Sequence, residues 1–198
     1  MTTLPKAPPP ELDDATAFNR AAAAAGWPII ADAGCAFAHT LTRELAALWA
    51  SEAGEGVPAR EVMTARKLQP FMRNIAIYER IGEGVQRRYR VRLMGSGIVQ
   101  YYGELTGKSF EEAVAERFLP RWYGVSDVPL KSRRPVRFVL RADTFDKSYM
   151  VAEYLCAPLS SASGLTKFVL LGMVFDGKRT WAEVEAETRA ALGGADGA

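Results

Sequence analysis

The apolar positions of this chain change period twice, and the changes mark out its elements. Leu41, Leu45, Leu48 and Trp49 fall at i, i+4, i+7 and i+8. That is one stripe of a helix over 41–53, with Thr40 as its cap and Gly54-Glu55-Gly56-Val57-Pro58 as its stop. Residues 60–72 keep helix-compatible spacing, interrupted by Pro70. The period then drops to two. Over 74–79 Ile75 and Ile77 stand opposite Ala76 and Tyr78, and over 87–94 Tyr89, Val91 and Leu93 stand opposite Arg88, Arg90 and Arg92. Gly82-Glu83-Gly84 joins the two runs as an antiparallel hairpin. Helical spacing returns across 98–133, where Ser109 caps one helix and Pro120 sits in the first turn of another.

Three strand-like runs follow at 135–141, 149–159 and 166–175, and 180–192 reads as a terminal helix capped by Thr180. Short connectors make neighbouring strands antiparallel. The expected class is α+β, one five-stranded antiparallel sheet with helices on one face and a flanking helix N-terminal to it. Residues 168–175 carry no polar side chain, so this strand must be covered on both faces and lie mid-sheet. Ahead of the domain, 1–14 is Pro-rich and polar and reads as disordered, and 15–38 is Ala-rich with a short helix near 15–25. The chain thus divides into an extension over 1–39, a domain over 40–177 and a C-terminal helix and tail over 178–198.

Composition narrows the chemistry. Twenty-five basic against 23 acidic side chains leave a net charge of +2, which argues against a dedicated nucleic-acid binder. Cys35 and Cys156 are far apart among small or apolar residues and read as free thiols. The N-terminus has no basic segment leading into an apolar core, and no apolar run reaches about 18 residues, so a soluble cytoplasmic protein is expected, with no membrane contact. His39 is the single histidine, which excludes multi-histidine metal sites; it reads as a polar residue at a helix start. No phosphate-binding Gly-rich loop is present.

Leu45-Ala46-Ala47-Leu48-Trp49, then Arg88-Tyr89-Arg90-Val91-Arg92-Leu93-Met94-Gly95-Ser96 and Tyr102-Gly103-Glu104-Leu105-Thr106-Gly107-Lys108 resemble a PAS domain of the bacterial branch termed PAS family 5. A late Pro158-Leu159 before the apolar strand at 166–175 completes the likeness, which covers about 40–177. The segment just before the first strand departs from the family's usual acidic, Pro-containing run. The resemblance implies a regulatory or sensory module. A haem-bearing relative would need an axial histidine in the helical insertion, and 98–133 has none; a photoactive flavin domain would need a reactive cysteine in its Asn-Cys-Arg helix motif, and neither cysteine has that context. Neither cofactor is expected.

Two sets of residues are candidates for function. Aromatic residues crowd the insertion and one strand. Tyr102, Phe118, Trp122, Tyr123 and Tyr154 line a pocket or simply fill the core, and Arg92, if turned inward, would hold an anion. Leu41, Leu45, Leu48 and Trp49 cover the sheet, in the same chain or in a homodimer, and Arg88 and Arg90 suit an acidic partner surface. Arg137 and Arg141 are expected on the opposite sheet edge, where charge deters edge pairing. The favoured function is a stand-alone sensory or regulatory PAS-like module, not an enzyme, acting on a signalling partner by protein contact, with a small molecule between helices and sheet. The alternative is an isomerase-like enzyme using a buried carboxylate, Glu153 beside Tyr154, in a closed apolar cavity.

Overall fold

The alternating runs pair into a single antiparallel sheet. The computed structural model describes residues 8–142 and 150–195. The first elements are α1 (Ala15–Ala25), β1 (Ile29–Asp32), α2 (Thr40–Ala53) and α3 (Ala65–Leu68), then the hairpin strands β2 (Ile75–Ile81) and β3 (Arg88–Met94). The insertion holds α4 (Ser96–Tyr102), α5 (Phe110–Ala113) and α6 (Leu119–Ser132). Strands β4 (Val136–Arg141), β5 (Val151–Ser160) and β6 (Thr166–Asp176) and helix α7 (Trp181–Ala195) finish the chain. The strand order is β1-β4-β5-β6-β2-β3. β6 therefore lies mid-sheet between β5 and β2, as its apolar sequence requires.

The sheet has six strands rather than five, because Ile29–Asp32 pairs with β4. Four residues in an Ala-rich stretch carry too little alternation to announce a strand. Its presence also moves β4 off the edge, so Arg137 is not a border residue but is buried. Helices cover both faces. On one face α1, α4, α5 and α6 enclose Tyr78, Tyr89, Phe110, Phe138 and Met173. On the other, α2 and the segment around α3 bury Ile75, Ile77, Leu155, Leu159 and Leu170, while α7 packs Val184 against Ile30, Val139 and Val151.

Local differences have local causes. The β2–β3 register shifts between Ile77, opposite Leu93, and Tyr78, opposite Val91, leaving Arg92 as the extra residue of a bulge. Leu93 is thereby turned from the Tyr89 and Val91 side to the α2 side, where it packs. His39, not Thr40, is the cap residue of α2. Ser109 caps α5 as expected, in a capping box with Glu112, and Pro120 opens α6. Of the segment expected to be disordered, residues 8–14 are held in place. Leu12 packs on the core, Glu11 pairs with Arg80 at 2.7 Å and Lys131 at 3.0 Å, and Arg87 donates to the Pro9 carbonyl at 2.6 Å. Tyr149, expected to open β5, lies outside the described residues.

Each outer strand has the outward backbone groups of one central residue engaged locally. The Asn19 side chain donates to the Ala31 carbonyl and accepts from the Ala31 N–H, both at 2.8 Å, on the outer side of β1. On β3 the Val91 N–H donates to the Lys108 carbonyl at 2.9 Å, and the Val91 carbonyl accepts from Gly107 N–H at 2.8 Å.

Gly95, where β3 gives way to α4, has no room for a side chain. A Cβ there would lie 2.1 Å from the Met72 carbonyl oxygen and 2.6 Å from that of Arg73, both backbone atoms. Gly95→Ala is therefore expected to cost about 1–3 kcal/mol by forcing these segments apart. Denaturant unfolding measures it; an unchanged midpoint would show that the 72–73 backbone yields freely.

Candidate functional site

Adjacent residues of a strand point to opposite faces, and on β5 Glu153 and Tyr154 organise one site on each. On the insertion side, the Tyr154 hydroxyl meets that of Tyr102, on α4, at 2.5 Å. Their cavity is closed by Trp122, Arg121 and Val125 of α6, by Tyr78 and Leu171, and by Ile29 and Leu140 of β1 and β4. Its volume is about 30 Å³, room for roughly two waters. Arg121 brings a guanidinium, only 4% exposed, to this otherwise apolar wall. Burial, then the neighbouring Tyr102, pushes Tyr154 well above the usual phenol range, so it serves as a neutral hydrogen-bonding group.

Aromatic packing explains the small size. Phe110 stands edge-on to Tyr78 at 5.0 Å and to Trp122 at 5.2 Å and stacks on Tyr89 at 5.1 Å. Typical small-molecule pockets span about 300–1,000 Å³. No histidine or cysteine lines this cavity.

On the opposite face Glu153, 3% exposed, sits in a knot of fixed partners. Its carboxylate accepts from Arg137 Nε at 2.7 Å and from Thr42 Oγ1 at 2.5 Å. It also accepts from the backbone N–H groups of Ala38 at 2.9 Å and His39 at 3.1 Å, which lead into α2. A strand carboxylate thus caps the helix that the local side chains leave uncapped. Arg137 reaches Asp32 at 3.4 Å, and Asp32 in turn accepts from the Gly34 and Ala36 N–H groups. Burial alone would raise the Glu153 pKa. Thr42, Ala38 N–H, Arg137 and His39 N–H outweigh it and hold the carboxyl below its ordinary value.

A second buried pair holds the insertion. Arg87 binds both oxygens of Asp127 on α6, at 3.1 and 2.9 Å, and the Tyr89 hydroxyl donates to Asp127 at 2.6 Å. Burial nevertheless pushes the Asp127 carboxyl up, against the pull of Arg87 and Tyr89.

The expected pocket residues divide. Tyr102, Trp122 and Tyr154 line the cavity. Tyr123 does not: its hydroxyl donates to Glu111 at 2.5 Å behind α6, and Arg87 lies over its ring. Phe118 is half-buried beside Arg117 and Arg121, off the cavity. Arg92 faces outward from the bulge and pairs with Glu79 at 3.4 Å. Of the expected contact residues, Leu45 is fully buried and Trp49 is 7% exposed on their own sheet, with the indole N–H donating to the Pro158 carbonyl at 2.7 Å. Leu41 and Leu48 pack half-buried beside them. Arg88 pairs with Glu111 at 3.4 Å, and Arg90 is exposed. Glu153, the carboxylate the isomerase-like reading would use, is absent from the cavity, and among the described residues no acidic side chain lines it.

Sequence reasoning missed Arg121, Asp127 and the Asp32–Arg137–Glu153 knot. Their signal was present as charged residues standing inside otherwise apolar strands and helices. Among the described residues no cluster of three or more His, Cys, Asp or Glu could hold a metal, and no helix is long and apolar enough to cross a membrane.

An antiparallel sheet under a helical insertion, with a small cavity between them and a flanking helix behind, is the architecture of a PAS-like α+β module. The family model described as PAS domain matches residues 37–175, and the chain belongs to that family. Its branch is PAS family 5, as the motifs implied. No curated protein matches the chain. The match leaves out α1, β1 and α7.

Glu153→Gln is expected to cost about 3–5 kcal/mol, because it leaves Arg137 buried without a full counter-charge. The pH dependence has a definite sign. With a folded pKa below the ordinary 4.5, Glu153 adds stability that is complete above about pH 4.5 and lost as pH falls through the lower folded value. The variant should therefore show a shallower acid limb than the parent in urea titrations between neutrality and pH 3. Parallel limbs would show that the knot does not govern acid sensitivity.

Proposed function

We propose that this PAS module is a non-enzymatic sensor that reads a small molecule in the Tyr102–Tyr154 cavity and reports by protein contact through α2. The observation that carries the reading is the two-sided geometry of β5. Tyr154 faces the cavity, and its chain neighbour Glu153 holds the N-terminal end of α2. A ligand that inserts between the two tyrosine hydroxyls must move β5 or α4, and any shift of β5 is felt at Glu153. Such a ligand acts by its different affinity for the two arrangements of α2.

The cavity bounds the ligand. It must be small, with an oxygen that takes hydrogen bonds from Tyr102, Tyr154 and Arg121, unless Trp122 swings out to enlarge the space. Haem and flavin have no place in this reading. A homodimer through α2 would have to use its outer side, since Leu45 and Trp49 are spent on their own sheet. The module would act in the cytoplasm, on a signalling protein.

Tyr154→Phe tests the coupling, because it removes one hydroxyl and keeps the ring. Hydrogen exchange at the Ala38 and His39 amides, on the far face, should change by about threefold or more, while amides of α7 stay as they were. Native mass spectrometry of protein from its own host would report a retained molecule and the subunit number. Unaltered exchange at Ala38 and His39 would show that the two faces are uncoupled and would overturn the reading.

A further inference from the structure

Beyond the cavity, a groove of about 710 Å³ lies beside α2. Its floor is Ala46, Trp49, Ala50 and Ala53 of α2 with Phe37 and Pro135. Three of these are alanines at i, i+4 and i+7, a lane of methyl groups along one side of a helix. Ala50 is exposed, and Ala46, Ala53, Phe37 and Pro135 are half-buried. This side of α2 therefore presents methyl groups to the groove where a solvated helix would ordinarily present charge.

The rim is not neutral. Arg133 and Arg134, at the end of α6, line it together with one acid, Glu55. Both arginines are exposed. Arg133 is held in position by donating to Thr166 Oγ1 at 2.8 Å. The chain as a whole is nearly balanced at +2, so this pair of cations is a local excess and not a share of a basic surface.

We infer that the groove takes an amphipathic helix of a partner protein, with its apolar side on the alanine lane and acidic side chains at Arg133 and Arg134. The small side chains let a second helix axis come close, and interaxial distance is set by the residues at the contact. The trough shape suits the helix-in-groove mode of recognition. The two arginines suit carboxylates bidentately and set the direction in which the partner lies. This inference rests on the reading that the module acts by protein contact, and it supplies the contact. It does not require that anything bind in the cavity.

The experiment uses the full chain, isotopically labelled, and two synthetic amphipathic helices of about 18 residues, long enough to hold helical structure. The helices share one leucine pattern and differ in flanking charge, glutamates in one and lysines in the other. The glutamate peptide should shift the Trp49 indole, Ala50 and residues 133–135 in NMR spectra. It should bind at least about tenfold more tightly than the lysine peptide, with the difference shrinking as salt rises. Arg133→Asn combined with Arg134→Glu should reverse that preference, asparagine being suited to the left-handed backbone at 133 (φ 56°). Ala50→Arg, at an exposed site that leaves the core intact, should block both peptides.

Equal binding of the two peptides, shifts mapping to another surface, or a preference unmoved by the charge reversal would each overturn the inference. So would a dimer in sedimentation that Ala50→Arg dissociates, because it would assign the groove to a second copy of this chain. None of these outcomes touches the exchange coupling between Tyr154 and Glu153, so failure here is distinguishable from failure of the sensory reading.

Discussion

β5 and β6 have almost no side that water can reach, and the rest of the molecule follows from that constraint. Every residue of β5 is buried, and the central stretch of β6 is buried with it. Two strands of this kind need a cover on each face, and neither cover can be optional. The insertion supplies one cover and α2 with the α3 segment the other. Gly172 of β6 shows how closely the second cover sits: a Cβ there would come within 2.6 Å of Leu45 Cδ2.

Charge fastens these covers in places where apolar contact alone would let them slide. Glu153 fixes the start of α2, and the Arg87–Asp127 pair with Tyr89 fixes α6 and, through Pro9, the N-terminal segment. Buried ion pairs add little net stability, because desolvation offsets most of their attraction. What they contribute here is position. A carboxylate satisfied by two backbone N–H groups, one hydroxyl and one guanidinium tolerates only one placement of the helix that brings those groups together.

The sequence made the sheet legible wherever alternation or continuous apolarity ran for six or more residues. The hairpin at 75–94, the meander at 136–176 and the central place of the last strand could all be read that way. Ile29–Asp32 escaped because four residues give no period, and with it went the correct surroundings of β4. The Leu93 reversal escaped because a bulge leaves no mark in the hydrophobic pattern. The site was half legible. Tyr102, Trp122 and Tyr154 meet across the insertion as their aromatic character implied, but Tyr123 and Phe118, one and four residues from Trp122, point away from the cavity. Side-chain direction on and just before a largely buried helix depends on tertiary packing, which spacing does not encode. Arg137 was expected as border charge, and Glu153 figured only in the alternative, enzymatic reading; they prove to be partners because β1 and α2 close over them.

The Asn19 amide on β1 and the Gly107–Lys108 backbone against β3 have a consequence for how this molecule can associate. An open sheet ordinarily offers its rim as a template on which a foreign strand can be added or a fibre begun. Here the amide of Asn19 occupies the rim of β1 at Ala31 as a neighbouring peptide group would, and the loop occupies the rim of β3 at Val91. With both margins sealed at their midpoints, lateral growth of the sheet is blocked. Any association of this molecule is thereby left to side chains presented on its faces rather than to an added strand.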